Sequence, residues 1–296
     1  MPGLLVLIIG IAAFSLSLTH TAEDGTVRTG LQGLAVYLIP DFSGMTIGRF
    51  LQILLDAMSQ LFFSLSVAMG IMITYGSYVK KDVNLSRSIG QIEIFDTLVA
   101  FLAGMMIIPA IYAFSGPEGM TSGPGLMFIS LPKVFSSMGF IGPIIGALFF
   151  IMVTFAALTS SVSILETLVA SCMEMFGISR KKTSLLIAVL AAAGAVIICL
   201  GYNAFYFEVT LPTDKTGQQL LDVVDYISNS FLMPLISLLT CLLIGWVVKP
   251  RWIVEEMEGS GHIFKRKKLY AFMIRYAAPI LMTVLFLQST GILRLN

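Results

Sequence analysis

Charge is scarce in this chain. Asp, Glu, Lys and Arg make up only 12% of its 296 residues, about half the share usual in a soluble domain. The 18 basic and 17 acidic side chains nearly cancel, so no global field recruits nucleic acid or an acidic substrate. Histidine is almost absent: His20 and His262 both fall in or beside polar loops. A serine intramembrane protease would need one of them beside its nucleophile, deep in a span. Its aspartyl counterpart would need two facing aspartates; besides Asp96 the sequence offers only Asp56, without a glycine-rich context. Enzymatic catalysis is therefore not expected. The three cysteines, Cys172, Cys199 and Cys241, sit in apolar stretches with no CxxC spacing. That pattern excludes a zinc or disulfide framework and predicts buried structural thiols.

Apolar residues, by contrast, supply 57% of the chain and recur in long runs. Seven segments, near 3–19, 50–79, 86–115, 141–175, 183–202, 226–248 and 269–293, are each long enough to cross a bilayer. The first has the apolar core of a signal peptide but neither a basic flank nor a small-residue cleavage site, so it reads as a retained span. Three basic clusters alternate with these spans: Lys80, Lys81 and Arg87; Arg180, Lys181 and Lys182; and Lys249, Arg251 and Lys265 to Lys268. The intervening loops hold only Arg28, Arg49, Lys133 and Lys215. Basic loops stay in the cytoplasm, which predicts an N-terminus inside, a C-terminus outside and a multi-pass protein of the cell's inner membrane. The expected fold class is an all-α polytopic membrane protein of seven transmembrane helices in a single domain, 1–296. Its external loops are 20–49, turn-rich and polar, and 116–140, where the apolar patch "LMFISLPKVFSSM" predicts short helices; 249–268 is a basic cytoplasmic loop.

Polar residues inside the spans are few enough to be read one by one. The second segment is too long for one straight crossing, and Ser64, Ser66 and Gly70 cluster near its middle. One reading is a broken helix, its first half ending near Leu65 and its second starting near Met69, with carbonyls freed for a cation and amides for an anion. The other is an unbroken helix whose serines bond back to earlier carbonyls. In "FAALTSSVSILE", Ala156, Thr159 and Ser160 share a helical face, with Ser163 and Ile164 one turn on. Such oxygens suit an alkali ion, and small hydroxyl residues equally serve as glue between membrane helices. Asp96 and Glu166 place carboxylates within spans, where an unpaired charge costs several kcal/mol. A conduit or binding site fits these residues better than a catalyst.

Taken in order, "FFSLSVAMGIMITYGSYVKKDVN", "FAALTSSVSILE", "MFGISRKK", "LLDVVDYISN" and "YAFMIRYAAPILM" resemble the neurotransmitter:sodium symporter family, especially its bacterial amino-acid transporters. The resemblance covers essentially the whole chain and aligns it with the family's fifth through eleventh spans. It implies a fold of two inverted five-span repeats, with sodium and an amino acid held at mid-membrane between broken helices. By position, Phe63 resembles the aromatic lid over the substrate. Ser64 resembles a ligand shared by substrate and the first sodium. Ser66, Met69, Ser160 and Ile164 would line the side-chain pocket. Asp96 stands where many members carry an asparagine ligand of the first sodium. The carbonyl of Ala156 and the hydroxyls of Thr159 and Ser160 resemble the second sodium site. Asp225 matches half of an extracellular gate, and Glu174 with Tyr78 part of the cytoplasmic gate.

Departures from the family pattern carry expectations of their own. Asp96 brings a negative charge to the first sodium site, and Ala100 lacks the hydroxyl of chloride-dependent relatives, so chloride is not expected to be required. Ala68 and Met69 replace a common glycine and aromatic, which suggests room for bulky apolar or aromatic substrates. The family's first four spans, with the first broken helix and the basic partners of both gates, have no counterpart here. The chain is accordingly expected to be a partial transporter that works with the missing N-terminal spans or a partner chain. The alternative is a short, non-transporting membrane protein that binds a ligand or partner subunit.

Overall fold

A computed structural model describes residues 2–21, 25–117, 125–212, 217–259 and 263–293, with side chains from residue 8 onward. His262, Lys215, residues 22–24 of the loop 20–49 and 118–124 of the loop 116–140 lie outside these.

With no water at membrane depth to satisfy N–H and C=O groups, the apolar runs close their hydrogen bonds internally as helices. In chain order these are α1 (Pro2–Ser17), α2 (Gly30–Leu38), α3 (Ile47–Ser64), α4 (Ile71–Tyr78), α5 (Leu85–Ser115), α6 (Leu131–Ser137), α7 (Gly142–Phe176) and α8 (Arg180–Leu200). They continue as α9 (Leu220–Asp225), α10 (Met233–Leu242), α11 (Pro250–Glu258), α12 (Lys267–Phe272) and α13 (Ala278–Ser289). Wider π-turns join α9 to α10 at Tyr226–Leu232 and α12 to α13 at Met273–Ala277, and extend α10 through Leu243–Val248. Among the described residues, five continuous stretches are long and apolar enough to cross a bilayer: Leu85–Ser115, Gly139–Phe176, Arg180–Leu200, Leu220–Val248 and Lys267–Ser289. The other two predicted crossings are α1 and the interrupted pair α3 and α4.

The chain divides into two compact units, Met1–Gly44 with Glu93–Ser160, and Met45–Ile92 with Ser161–Asn296. In the first, Ile11 and Ala12 of α1, Met106, Ala110 and Ile111 of α5, and Phe149 of α7 form a core. Leu131, Val134 and Phe135 of α6 complete it, so the apolar patch within 116–140 is helical and packed. In the second unit, Leu55 of α3 packs on Met282 and Leu285 of α13, with Leu238 of α10 alongside. The Tyr226 hydroxyl donates to the Ser289 carbonyl at 2.9 Å.

The loop 20–49 departs from its polar, turn-rich reading. It holds a two-stranded ribbon, β1 (Thr19–Thr21) against β2 (Val27–Thr29), followed by α2. A reciprocal cap starts that helix: Gln32 N–H donates to Thr29 Oγ1 at 3.2 Å, and Thr29 N–H to Gln32 Oε1 at 3.0 Å. Two glycines then let it lie directly on its neighbours. A Cβ on Gly30 would sit 2.1 Å from the Ser15 carbonyl oxygen, and one on Gly33 2.7 Å from Pro109 Cα.

The thiols divide: Cys241 is buried, Cys172 half-buried and Cys199 exposed. Cys199 differs from its expectation because α8 has very little of its apolar surface covered by protein.

Gly33→Leu is expected to destabilise the first unit by about 1–3 kcal/mol, the usual cost of overpacking. The check is thermal unfolding in detergent, against Gly10→Leu, whose Cβ meets nothing within 4 Å.

Candidate functional site

The interruption between α3 and α4 is built from three local devices. At the end of α3, Val67 N–H donates to Phe62 O at 2.9 Å and Ser66 N–H to Phe63 O at 3.1 Å. This crossed pair is a Schellman termination, whose left-handed position is normally glycine. Here Ser66 occupies it at φ 53°, and Ala68 follows at φ 64°. Left-handed backbone costs an L-residue roughly 1–2 kcal/mol, so two strained residues lie within three positions. Gly70 then takes φ 78° without a Cβ and opens α4. Thr74 secures that start, its N–H and its hydroxyl both donating to Gly70 O, at 3.0 and 3.1 Å. The amides of Ile71, Met72 and Ile73 have no helical acceptors, as at any helix start. The broken-helix reading is therefore the correct one, with the first half ending at Ser64 and the second starting at Ile71.

Below the break, α4 runs along the later turns of α7. A Cβ on Gly70 would come within 3.0 Å of Thr167 Cγ2, so the glycine also permits close approach. One turn on, the Tyr75 and Ser163 hydroxyls are 2.5 Å apart. A further turn on, the Tyr78 hydroxyl donates to Glu166 Oε1 at 2.7 Å, while Arg180 Nη2 donates to Glu166 Oε2 at 2.6 Å. The carboxylate is held on both oxygens, by α4 on one side and by the first residue of α8 on the other. This resolves the cost of a charge at Glu166: its side chain is 21% exposed and compensated, while that of Arg180 remains 61% exposed.

The other residues picked out by sequence fall in known places. Ala156, Thr159 and Ser160 lie together on α7 in the first unit, where the Thr159 hydroxyl donates to the Ala156 carbonyl at 2.8 Å. Two oxygens assigned to one sodium are thus neighbours. Asp96 is half-buried on α5, also in the first unit. Phe63, Ser64, Ser66, Met69 and Ile164 belong to the second unit; Phe63 and Ile164 are each about half exposed. Asp225 closes α9 and accepts from Asn229 Nδ2 at 2.6 Å. Tyr78, which the resemblance groups with Glu174 at the cytoplasmic gate, bonds to Glu166; Glu174 is exposed, two turns further along α7. Sequence reasoning gave Arg180 no role beyond its basic cluster. The available signal was Glu166 itself, a carboxylate in a span that had to find a cation.

The family model described as "Sodium:neurotransmitter symporter family" matches residues 18–294. Among curated proteins, the chain is similar to the sodium-dependent transporter YhdH of Bacillus subtilis, at 30% identity over 90% of this chain and 57% of that protein. A sodium-dependent transporter of Haemophilus influenzae is also 30% identical, over 98% of this chain and 58% of that protein. The sodium- and chloride-dependent GABA transporter 2 of Macaca fascicularis is 26% identical, over 89% and 42%. Among solved structures, MhsT in complex with L-phenylalanine superposes with TM-score 0.78 at 35% identity, covering 98% of this chain and 61% of MhsT. The chain thus spans between about half and three-fifths of the length of the bacterial relatives it matches.

The strain at the break is testable apart from any activity. Ala68→Gly is expected to raise stability by about 1 kcal/mol through relief of left-handed backbone. Gly70→Val is expected to lower it by more, because φ is positive and Thr167 is close. Thermal unfolding of the two variants should move in opposite directions.

Proposed function

The chain belongs to the sodium:neurotransmitter symporter family, and from that premise we propose that it binds sodium and a zwitterionic amino acid and serves their coupled passage by alternating access. The carrying observation is the interruption at Leu65–Gly70, held in strained backbone that an ordinary span would not keep. A helix C-terminus such as that of α3 is the negative end of its dipole, which suits a cation, and the start of α4 offers amides, which suit an anionic group.

In this reading Ser64 and Asp96 bind one sodium, and Ala156 O, Thr159 and Ser160 a second. Ser66, Met69, Ser160 and Ile164 receive the side chain of the substrate, under Phe63. Sodium favours the outward-facing arrangement and its release to the cytoplasm favours inward opening. Asp225 contributes to the outer gate. The cytoplasmic gate uses Tyr78, steadied through Glu166 by Arg180, with Glu174 nearby in sequence. The three basic clusters face the cytoplasm, with the N-terminus inside and the C-terminus outside. The substrate is apolar or aromatic: Met69 is flexible and polarisable, and the similar MhsT was solved with L-phenylalanine. Chloride is not needed, because the Asp96 carboxylate supplies the negative charge that chloride gives some relatives.

Sodium-dependent amino-acid binding, measured with radiolabelled ligand, should fall on the order of tenfold or more in the double variant Asp96→Ala, Thr159→Ala, since each removes a charged or polar ligand. Survival of sodium dependence would remove the proposed sites.

Replacing chloride with gluconate should leave binding unchanged, and phenylalanine, tryptophan or leucine should compete where glycine does not. Loss of binding in gluconate, or competition by glycine alone, would refute the chloride and pocket assignments respectively.

A further inference from the structure

The last two long apolar stretches meet at a contact that the proposed transport cycle does not use. The π-turn Leu243–Val248 lies against the π-turn Met273–Ala277, and each contributes one half of a reciprocal bond. Arg275 Nε donates to the Gly245 carbonyl at 3.1 Å, and Trp246 Nε1 donates to the Arg275 carbonyl at 3.2 Å. A π-turn frees carbonyls from the ordinary i to i+4 ladder, which is what makes these acceptors available. Gly245 allows the approach: a Cβ there would lie 2.9 Å from the Ile274 carbonyl oxygen.

The result is a guanidinium fixed by one nitrogen inside an apolar stretch. Among the described residues no carboxylate pairs with Arg275, and no described side chain takes up its two terminal amino groups. Such a group at membrane depth is retained only with an anionic or polar partner. Its surroundings indicate the depth. Trp246 and Tyr276 pack edge to face with centroids 5.9 Å apart, yet stay 58% and 48% exposed. Trp252, on the following α11, is exposed as well. Half-exposed tryptophan and tyrosine with apolar neighbours are the mark of the headgroup layer. Lys268 precedes Arg275 by roughly two helical turns, about 10 Å.

The loop between the two stretches has already spent much of its negative charge. Glu255 pairs with Arg251 at 2.6 Å and Glu258 with Lys267 at 3.3 Å. Lys249, Lys265, Arg266 and Lys268 have no ion-pair partner among the described residues, against the single remaining carboxylate of Glu256. A surface of this sign attracts anionic lipid, and the fork of an arginine fits a phosphate better than an ammonium does.

We propose that Arg275, where these two π-turns cross, holds the headgroup phosphate of an acidic phospholipid between Trp246 and Tyr276, and that the basic residues at 265–268 draw that lipid in. The Gly245 carbonyl orients the guanidinium, leaving its terminal amino groups for the phosphate oxygens. The site faces the leaflet on the side of the basic clusters and is independent of sodium and amino acid.

The test is native mass spectrometry of the full chain in detergent with equal phosphatidylglycerol and phosphatidylcholine, counting lipids retained. Phosphatidylglycerol should be retained several-fold over phosphatidylcholine. Arg275→Gln should lower its retention on the order of tenfold, the loss expected of a charge-assisted contact, and Arg275→Lys should fall between. Should Arg275→Gln not fold, the pair Lys265→Gln, Arg266→Gln, outside the membrane-spanning stretch, tests the same attraction and should reduce retention. Equal retention of the two lipids by the unaltered chain overturns the proposal, as does wild-type retention in a folded Arg275→Gln variant or, failing that, in the pair. Displacement by millimolar inorganic phosphate also overturns it, assigning the site to a soluble anion. Lipid counting requires no transport, so its failure and a failure of the transport reading are separately visible.

Discussion

At membrane depth every backbone amide and carbonyl must find a partner within the protein or a polar cavity, and between α3 and α4 the chain sets aside the continuous helix that meets that demand most simply. From Leu65 to Gly70 the chain abandons the helical ladder in the middle of an apolar segment. Continuing α3 as a plain helix would satisfy these groups at no conformational cost. The chain instead spends a Schellman termination with serine at the glycine position, a second left-handed residue at Ala68, and a left-handed Gly70. Strain of this kind persists where the surroundings over-determine it. Those surroundings are visible: Leu55 anchors α3 on α13, while Gly70, Tyr75 and Tyr78 anchor α4 on α7. The two halves are held by different neighbours.

The seam between α4 and α7 shows how a charge is kept in such a place. Glu166 is tolerable because each oxygen has its own donor, Tyr78 from within the segment and Arg180 from the start of the next helix. Removing either donor leaves a partly buried carboxylate short of a partner, the costly half of the hydrogen-bond asymmetry. The cluster also gives Arg180 a structural task within its basic run, that of holding Glu166.

Much of this was legible in the sequence, for identifiable reasons. Span positions follow from hydropathy, which acts residue by residue, and the observed helices start and stop within a few residues of the apolar runs. The break was legible as one of two readings because its cause is local: a segment too long for one crossing, with serines and a glycine at its centre, which equally fit an unbroken helix. The helix at Gly30–Leu38 was missed although its capping pair, Thr29 and Gln32, stood in plain view. What turns that pair into a helix is docking of Gly30 and Gly33 on α1 and α5, a tertiary fact with no sequence period. Arg180 was missed for the same reason, since its partner lies fourteen residues away on another helix. The resemblance implies Glu174 as a gate residue with Tyr78, and the bond of Tyr78 to Glu166 adds a neighbour that family position does not supply.

The two kinds of relaxed helix in this chain serve opposite ends. In the π-turns at 243–248 and 273–277 each widened turn frees carbonyls that are at once taken up, by Arg275 on Gly245 and by Trp246 on Arg275, so the loosening is spent on fixing one helix to another. At Leu65–Gly70 the termination takes up the Phe62 and Phe63 carbonyls of α3, and the first amides of α4 have no helical acceptor. A serine there is more expensive than glycine by the whole left-handed penalty, so backbone geometry alone does not account for Ser66. Under the proposed function a side-chain role would account for it, the Ser66 hydroxyl lining the substrate pocket. By the same reasoning Gly70, which touches Thr167 and carries no polar group, belongs to the packing of the site and not to its chemistry.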